Sequence, residues 1–131
     1  AGKIILLNDA DGKFTLPSIS SATPSDPTAP DQANNIGASF FFYVETAATD
    51  LDILTDGTDK FVGAVIVAVD DGTKKAFVPA AANDVITLNG STKGGIVGSV
   101  VKVTAIDAAT YLVHDSLLIG SGTIATPFAN A

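Results

Sequence analysis

The sequence predicts an all-β fold, mainly antiparallel, built as a small β-barrel or β-sandwich with an extended Pro-rich N-terminal arm. Three observations carry that reading. The apolar runs are short and rich in Val, Ile and Phe, which suit a pleated surface better than a helix. Turn signals recur at intervals of roughly 8–14 residues, the cadence of sandwiches and barrels. No segment carries a convincing amphipathic helical period. The clearest unit is Phe61–Pro79, FVGAVIVAVDDGTKKAFVP. Asp70-Asp71-Gly72 separates two strand-like runs there, and Gly accepts the positive φ of a tight turn. Val65, Val67 and Val69 point one way and Ala64, Ile66 and Ala68 the other. Both faces of that strand therefore read as covered, by a second layer of the same chain or by a neighbouring subunit.

Taken in order, Lys3–Leu7 (KIILL) is a short strand, Asn8–Gly12 a turn, and Lys13–Leu16 (KFTL) the returning strand of a hairpin. From Pro17 to Asn35 the composition changes. Pro17, Pro24, Pro27 and Pro30 stand among Ser, Thr, Ala and Asp, which favours extended chain over helix or ladder. Ile36–Glu45 (IGASFFFYVE) is the aromatic strand. Phe40, Phe42 and Val44 share one face, Phe41 and Tyr43 the other, the pattern of a central strand or an interface. Thr46–Asp59 is acidic, with Leu51, Ile53 and Leu54 marking a short strand or helical turn. Val85–Leu88 is a strand, and Gly90–Gly95 reads as a wide, mobile loop after Asn89-Gly90. Ile96–Ile106 is a long strand, with Val97, Val101, Val103 and Ala105 on one face and Lys102 and Thr104 on a wetter one. Tyr111–Ile119 follows, then a tail, Thr123–Ala131, containing Pro127 and Phe128. The break at Pro17 and recovery at Ile36 divide the chain into an arm module, 1–35, and a core, 36–131.

The chain has 131 residues, enough for one domain with a core. Its net charge is −7, and its seven basic residues are all Lys. An acidic chain without Arg is a poor reader of phosphates and base edges, so no nucleic-acid partner is expected. Cysteine is absent, which excludes disulfides and thiolate metal sites. No apolar run approaches the ~20 residues of a membrane span, and no membrane partner is expected. Ala1 as first residue fits either a removed initiator Met or a trimmed precursor.

Searches for chemistry end in ordinary readings. His114 is the sole histidine, and no G-x-S-x-G elbow accompanies it. On a regular strand Asp115 points away from it, while Ser116 shares its face. Asp50, Asp52, Asp56 and Asp59 cluster in sequence, as do Asp9 and Asp11, but no register from Asp50, Asp52 or Asp9 meets the EF-hand pattern of Gly at position six and Glu at twelve. Gly94-Gly95-x-x-Gly98 opens a strand rather than a helix, so it offers no phosphate site. Glu45 is the one glutamate, without a partner for glycosidase chemistry. The expectation is a protein that is not an enzyme and needs no metal or cofactor.

The runs Asp56-Gly57-Thr58-Asp59, Val62-Gly63-Ala64-Val65 and Val67–Thr73 resemble the head decoration (cement) proteins of tailed bacteriophages. Asn83–Ile86, Gly120–Thr123 and Pro127-Phe128 are similar to segments of small virion proteins. The likeness covers about half the chain and rests on turns and apolar strands. It implies a structural virion protein on the outer surface of the capsid. Such a protein clamps the major capsid protein, often as a homotrimer, and carries no catalytic residues. Candidate oligomer or capsid contacts are Ile4, Ile5, Leu6, Phe14, Pro17, Pro24, Pro27, Pro30, Phe41, Tyr43 and Phe128. The competing class is a secreted or cell-surface β-sandwich adhesin or pilin-like subunit, and the least supported is a small hydrolase or lectin-like sugar binder.

Overall fold

Short branched and aromatic runs separated by Gly- and Asp-rich turns leave the chain little choice but strands. The computed structural model describes residues 3–20 and 34–131. Pro24, Pro27 and Pro30, and with them most of the expected arm, lie outside the described residues. Among the described residues eleven strands form: β1 (Ile4–Leu7), β2 (Lys13–Thr15), β3 (Ser39–Val44), β4 (Leu51–Leu54), β5 (Lys60–Gly63), β6 (Val65–Ala68), β7 (Lys74–Phe77), β8 (Val85–Leu88), β9 (Val100–Asp107), β10 (Thr110–Ile119) and β11 (Phe128–Ala129). No helix occurs among the described residues. The strands make a seven-stranded sheet, ordered β1-β3-β9-β10-β6-β7 with β5 also on β10, and a four-stranded sheet, β11-β8-β4-β2. The arrangement is an open sandwich and not a closed barrel.

Antiparallel pairings outnumber parallel ones five to four. Two of the four parallel pairs arise because the chain steps between sheets. β1 lies in the large sheet, β2 in the small one, β3 returns to the large sheet and β4 to the small. Each strand then lands beside the one two places earlier, running the same way: Ile4 opposite Phe41, and Lys13 opposite Asp52. The hairpin expected for Lys3–Leu16 is therefore not formed. Its two strands part at the turn because each has an apolar side to bury against a different sheet. Leu7 and Leu16 join the same buried cluster as Phe42, Leu51, Ile53, Phe61, Val65, Val67, Ile86, Leu88, Val101, Val103, Tyr111, Val113 and Leu118. Aromatic contacts bridge the layers: Phe14 meets Phe42 edge-on with centroids 4.9 Å apart, and Phe61 lies 6.4 Å from Phe128.

Phe61–Val69 is not one strand. It breaks at Ala64, so that β5 and β6 pair in turn with the first and last parts of β10. Gly63 sits at the break with φ +102°, where an added Cβ would lie 2.1 Å from the Val113 carbonyl oxygen. Nor are both faces covered: Phe61, Val65 and Val67 are buried, but Val62, Ala64 and Ile66 are exposed. The long strand starts at Val100 rather than Ile96, leaving Val97 exposed, although Val101, Val103 and Ala105 face the core as expected. Gly90–Gly95 is a tight, partly buried turn. The Gly90 amide donates to the Gly94 carbonyl, and Asn89 Oδ1 accepts from the amides of Ser91 and Lys93. The tail contributes a strand of its own: Phe128 pairs with Ile86 and Ala129 with Val85.

Deleting residues 1–35 is accordingly expected to abolish the cooperative thermal transition, since it removes one strand from each sheet and two core leucines. Phe42→Ala should cost about 3–5 kcal/mol in denaturant unfolding. Gly63→Ala should cost more than about 1 kcal/mol, because the strain and the backbone clash act together.

Candidate docking face

One face of the seven-stranded sheet covers the core and the other is open. On the open face, strand register lines up a continuous apolar row. Leu6 lies opposite Tyr43, Tyr43 opposite Val100, Val100 opposite Leu117, Leu117 opposite Ile66, and Ile66 opposite Ala76. Directly opposed residues share a face, so this row crosses six strands, about 24 Å at ordinary strand spacing. Leu6 is 54% exposed, Leu117 46% and Ile66 42%. A second row runs Ile4, Phe41, Lys102, His114, and a third runs Ser39, Thr104, Leu112, Val62. Five of the nine large apolar side chains exposed among the described residues lie here: Ile4, Leu6, Val62, Ile66 and Leu117. Isolated exposed apolar residues need no explanation, but a concentration on one face marks a surface with a partner.

A polar chain crosses this face. His114 Nε2 is 2.7 Å from Thr104 Oγ1, which is 2.7 Å from Ser39 Oγ, and His114 Nδ1 is 3.0 Å from Asp115 Oδ2. With Nδ1 protonated, the imidazole donates to Asp115 and accepts from Thr104. Asp115 reaches His114 because β10 bulges between His114 and Leu117, with Asp115 at φ 47°. The expected alternation is thereby reversed: Asp115 joins His114, and Ser116 turns inward. The buried Ser116 hydroxyl accepts from the Lys102 amide and donates to the His114 carbonyl. The order Asp115–His114–Thr104 repeats that of a nucleophilic triad. Thr104, however, stands mid-strand between β3 and β10, so the neighbouring amides are committed to ladder hydrogen bonds rather than to an oxyanion. A shallow recess of about 400 Å³ adjoins the chain, lined by Lys3, Ile4, Ser39, Phe41 and Lys102.

The candidate contacts divide clearly. Ile4, Leu6, Phe41 and Tyr43 come together on the open face. Ile5 and Phe14 pack against the core instead. Phe128, expected at a contact surface, is corrected to a core residue at 6% exposure, held there by Phe61 and by its pairing with Ile86. Pro17 is exposed, and its carbonyl accepts a 2.6 Å hydrogen bond from the Tyr111 hydroxyl, which ties the start of the arm to the sheet. Sequence reasoning missed Val62, Ile66, Val100, Leu112 and Leu117. Alternation within each strand was the available signal, and it becomes a patch only once register is known.

The acidic stretch 50–59 serves the fold. Asp56 Oδ1 accepts from the amides of Thr58 and Asp59, and its Oδ2 accepts from Ser18 Oγ. Asp59 Oδ2 accepts from the Ile19 amide. Among the described residues no three His, Cys, Asp or Glu are grouped to hold a metal. The Ser18 hydroxyl and the turn amides hold Asp56 below the usual carboxylate range. The Lys60 ammonium, 2.9 Å away, does the same for Asp84 against the opposing effect of burial, and the Ala131 amide adds to it.

Fold and face together define a class, a small mixed-sheet β-sandwich with an open apolar sheet surface. Comparison with known proteins finds no matching family model, no similar curated protein and no similar solved structure.

Both depressed carboxylates bind protons more readily in the unfolded chain. Their stabilisation is complete above the ordinary Asp value of about 3.9 and is lost as pH falls through the lower folded values. Unfolding free energy should thus be nearly level from about pH 7 to 5 with respect to these groups and drop below about pH 4, with a shallower drop in Asp84→Asn. Melting temperatures with calcium and with a strong chelator should agree, whereas a rise of several degrees with calcium would establish a site in the 50–59 loop.

Proposed function

We propose that this chain is a structural virion protein, a decoration (cement) protein that binds the outer surface of a tailed-phage head and stabilises the shell. It attaches to the major capsid protein through the open face of the seven-stranded sheet. The observation that carries the reading is the apolar row from Leu6 to Ala76, too extensive to be left to water and backed by a core complete without it. The likeness of the turn and strand segments to decoration proteins supports it. So does the net charge of −7, which suits an outer shell surface better than a face against packaged DNA. Assembly as a homo-oligomer, with a trimer favoured, follows from the same likeness. No catalytic step, metal or cofactor enters this role.

One observation favours a second reading, a pilin-like or adhesin subunit that polymerises by strand addition. Within β1 (IILL) there is no charge, whereas β7, at the other end of the sheet, carries Lys74 and Lys75. Charged edges resist strand addition and uncharged ones invite it. Sedimentation of the purified chain separates the two readings. Concentration-dependent filaments in the absence of shells favour the subunit. Discrete small oligomers that co-sediment with undecorated expanded shells favour the decoration protein. For the latter, Leu117→Asp and Ile66→Asp should each weaken attachment at least about tenfold, or ~1.4 kcal/mol. Their melting temperatures should stay within a few degrees of the parent, because both side chains lie outside the core. Unchanged attachment would remove the face from the contact.

A further inference from the structure

Near the middle of the open face Lys102 stands between Phe41 and His114 in the second row. Lys102 is half-buried and has no carboxylate within 4.0 Å among the described residues, and the same is true of the exposed Lys3. Both line the recess formed with Ile4, Ser39 and Phe41. A cation in the middle of a surface that becomes covered loses its water, and the loss is recovered only if an opposite charge meets it. The nearby carboxylate, Asp115, is occupied by His114.

We infer that the surface covering this face belongs to a different polypeptide and seats an Asp or Glu carboxylate in the recess between Lys3 and Lys102. Two-fold pairing of two copies centred on the recess fails this requirement, since it sets Lys3, Lys102 and His114 of one copy against the same groups of the other. Docking then has two components. The rows through Leu6, Leu117 and Ile66 supply apolar burial. The Lys102 recess fixes register, because a carboxylate out of place leaves two desolvated cations unpaired. The inference rests on the reading of the face as the shell contact.

The test is lysine footprinting of the full chain, free and bound to expanded shells, followed by zero-length carbodiimide coupling and mass spectrometry. On shells, acetylation of Lys3 and Lys102 should slow at least about tenfold relative to the free chain, while Lys75 and Lys93 keep their rates. Coupling should join Lys3 or Lys102 to an acidic residue of the shell polypeptide. Lys102→Met should weaken attachment about tenfold or more, and Lys102→Arg should retain most of it. Coupling to an acidic residue of a second copy would overturn the inference. So would unchanged acetylation of Lys102 on shells to which the chain is bound, or full attachment by Lys102→Met, with shell attachment itself still standing. A chain that does not bind shells at all would overturn both readings together.

Discussion

The sandwich depends on the way β10 is partnered. Its ten residues pair with β9 along one side and with β5 and then β6 along the other. One strand thus fixes the position of three others. The arrangement requires a bulge, because the register with β9 shifts between His114 and Leu117. The bulge survives burial because Ser116 satisfies both exposed backbone groups at once, accepting from the Lys102 amide and donating to the His114 carbonyl. Gly63 answers from the other side, leaving room for the Val113 carbonyl where any side chain would collide. Bulge and break lie at the same level of the sheet. They shape both of its faces: Leu118 is returned to the core and Leu117 to the open surface.

Strand content was legible in the sequence to a large extent, and pairing was not. Val85–Leu88, Tyr111–Ile119 and the turn at Asp70–Gly72 appear nearly as composition marks them, because local propensity and turn chemistry decide such elements. The inward row Val101, Val103, Ala105 likewise follows from period-two alternation. What failed was inference from nearness in sequence. Lys3–Leu7 and Lys13–Leu16 look like a hairpin, but a tight turn permits two strands to pair without obliging them to. Here each gains more by burying an apolar side chain, Leu7 or Leu16, in a different layer.

The open face illustrates the same limit. Ile4, Leu6, Phe41 and Tyr43 could be picked out, since each lies on an alternating strand with both sides apolar. Leu117 could not, because its side of the strand depends on the bulge at Asp115, which has no distinctive dipeptide signature, and Ile66 could not, because a strand apolar on both faces does not reveal which of them is left open. Phe128 erred the other way. A terminal aromatic after Pro127 reads as a free anchor until β8 is seen to lack a partner on that side without it.

The stepping of the chain between layers also sets the order in which the molecule can be made. β1 and β2 find their neighbours only in β3 and β4, β5 finds its own only in β10, and β6, which pairs at once with β7, finds its second neighbour only in β10. A chain emerging from the ribosome N-terminus first holds β1, β2 and β5 unpaired, and one edge of β6 open, until later residues appear. Native pairing across long separations is slow, because loop-closure entropy must be met before contacts repay it. In that interval the uncharged run Ile4–Leu7 and the β10-facing edge of Val65–Ala68 are open to any other strand edge. β7 follows Val65–Ala68 almost at once and pairs with it, and its two lysines guard the outer edge of that hairpin while the inner edge waits for β10.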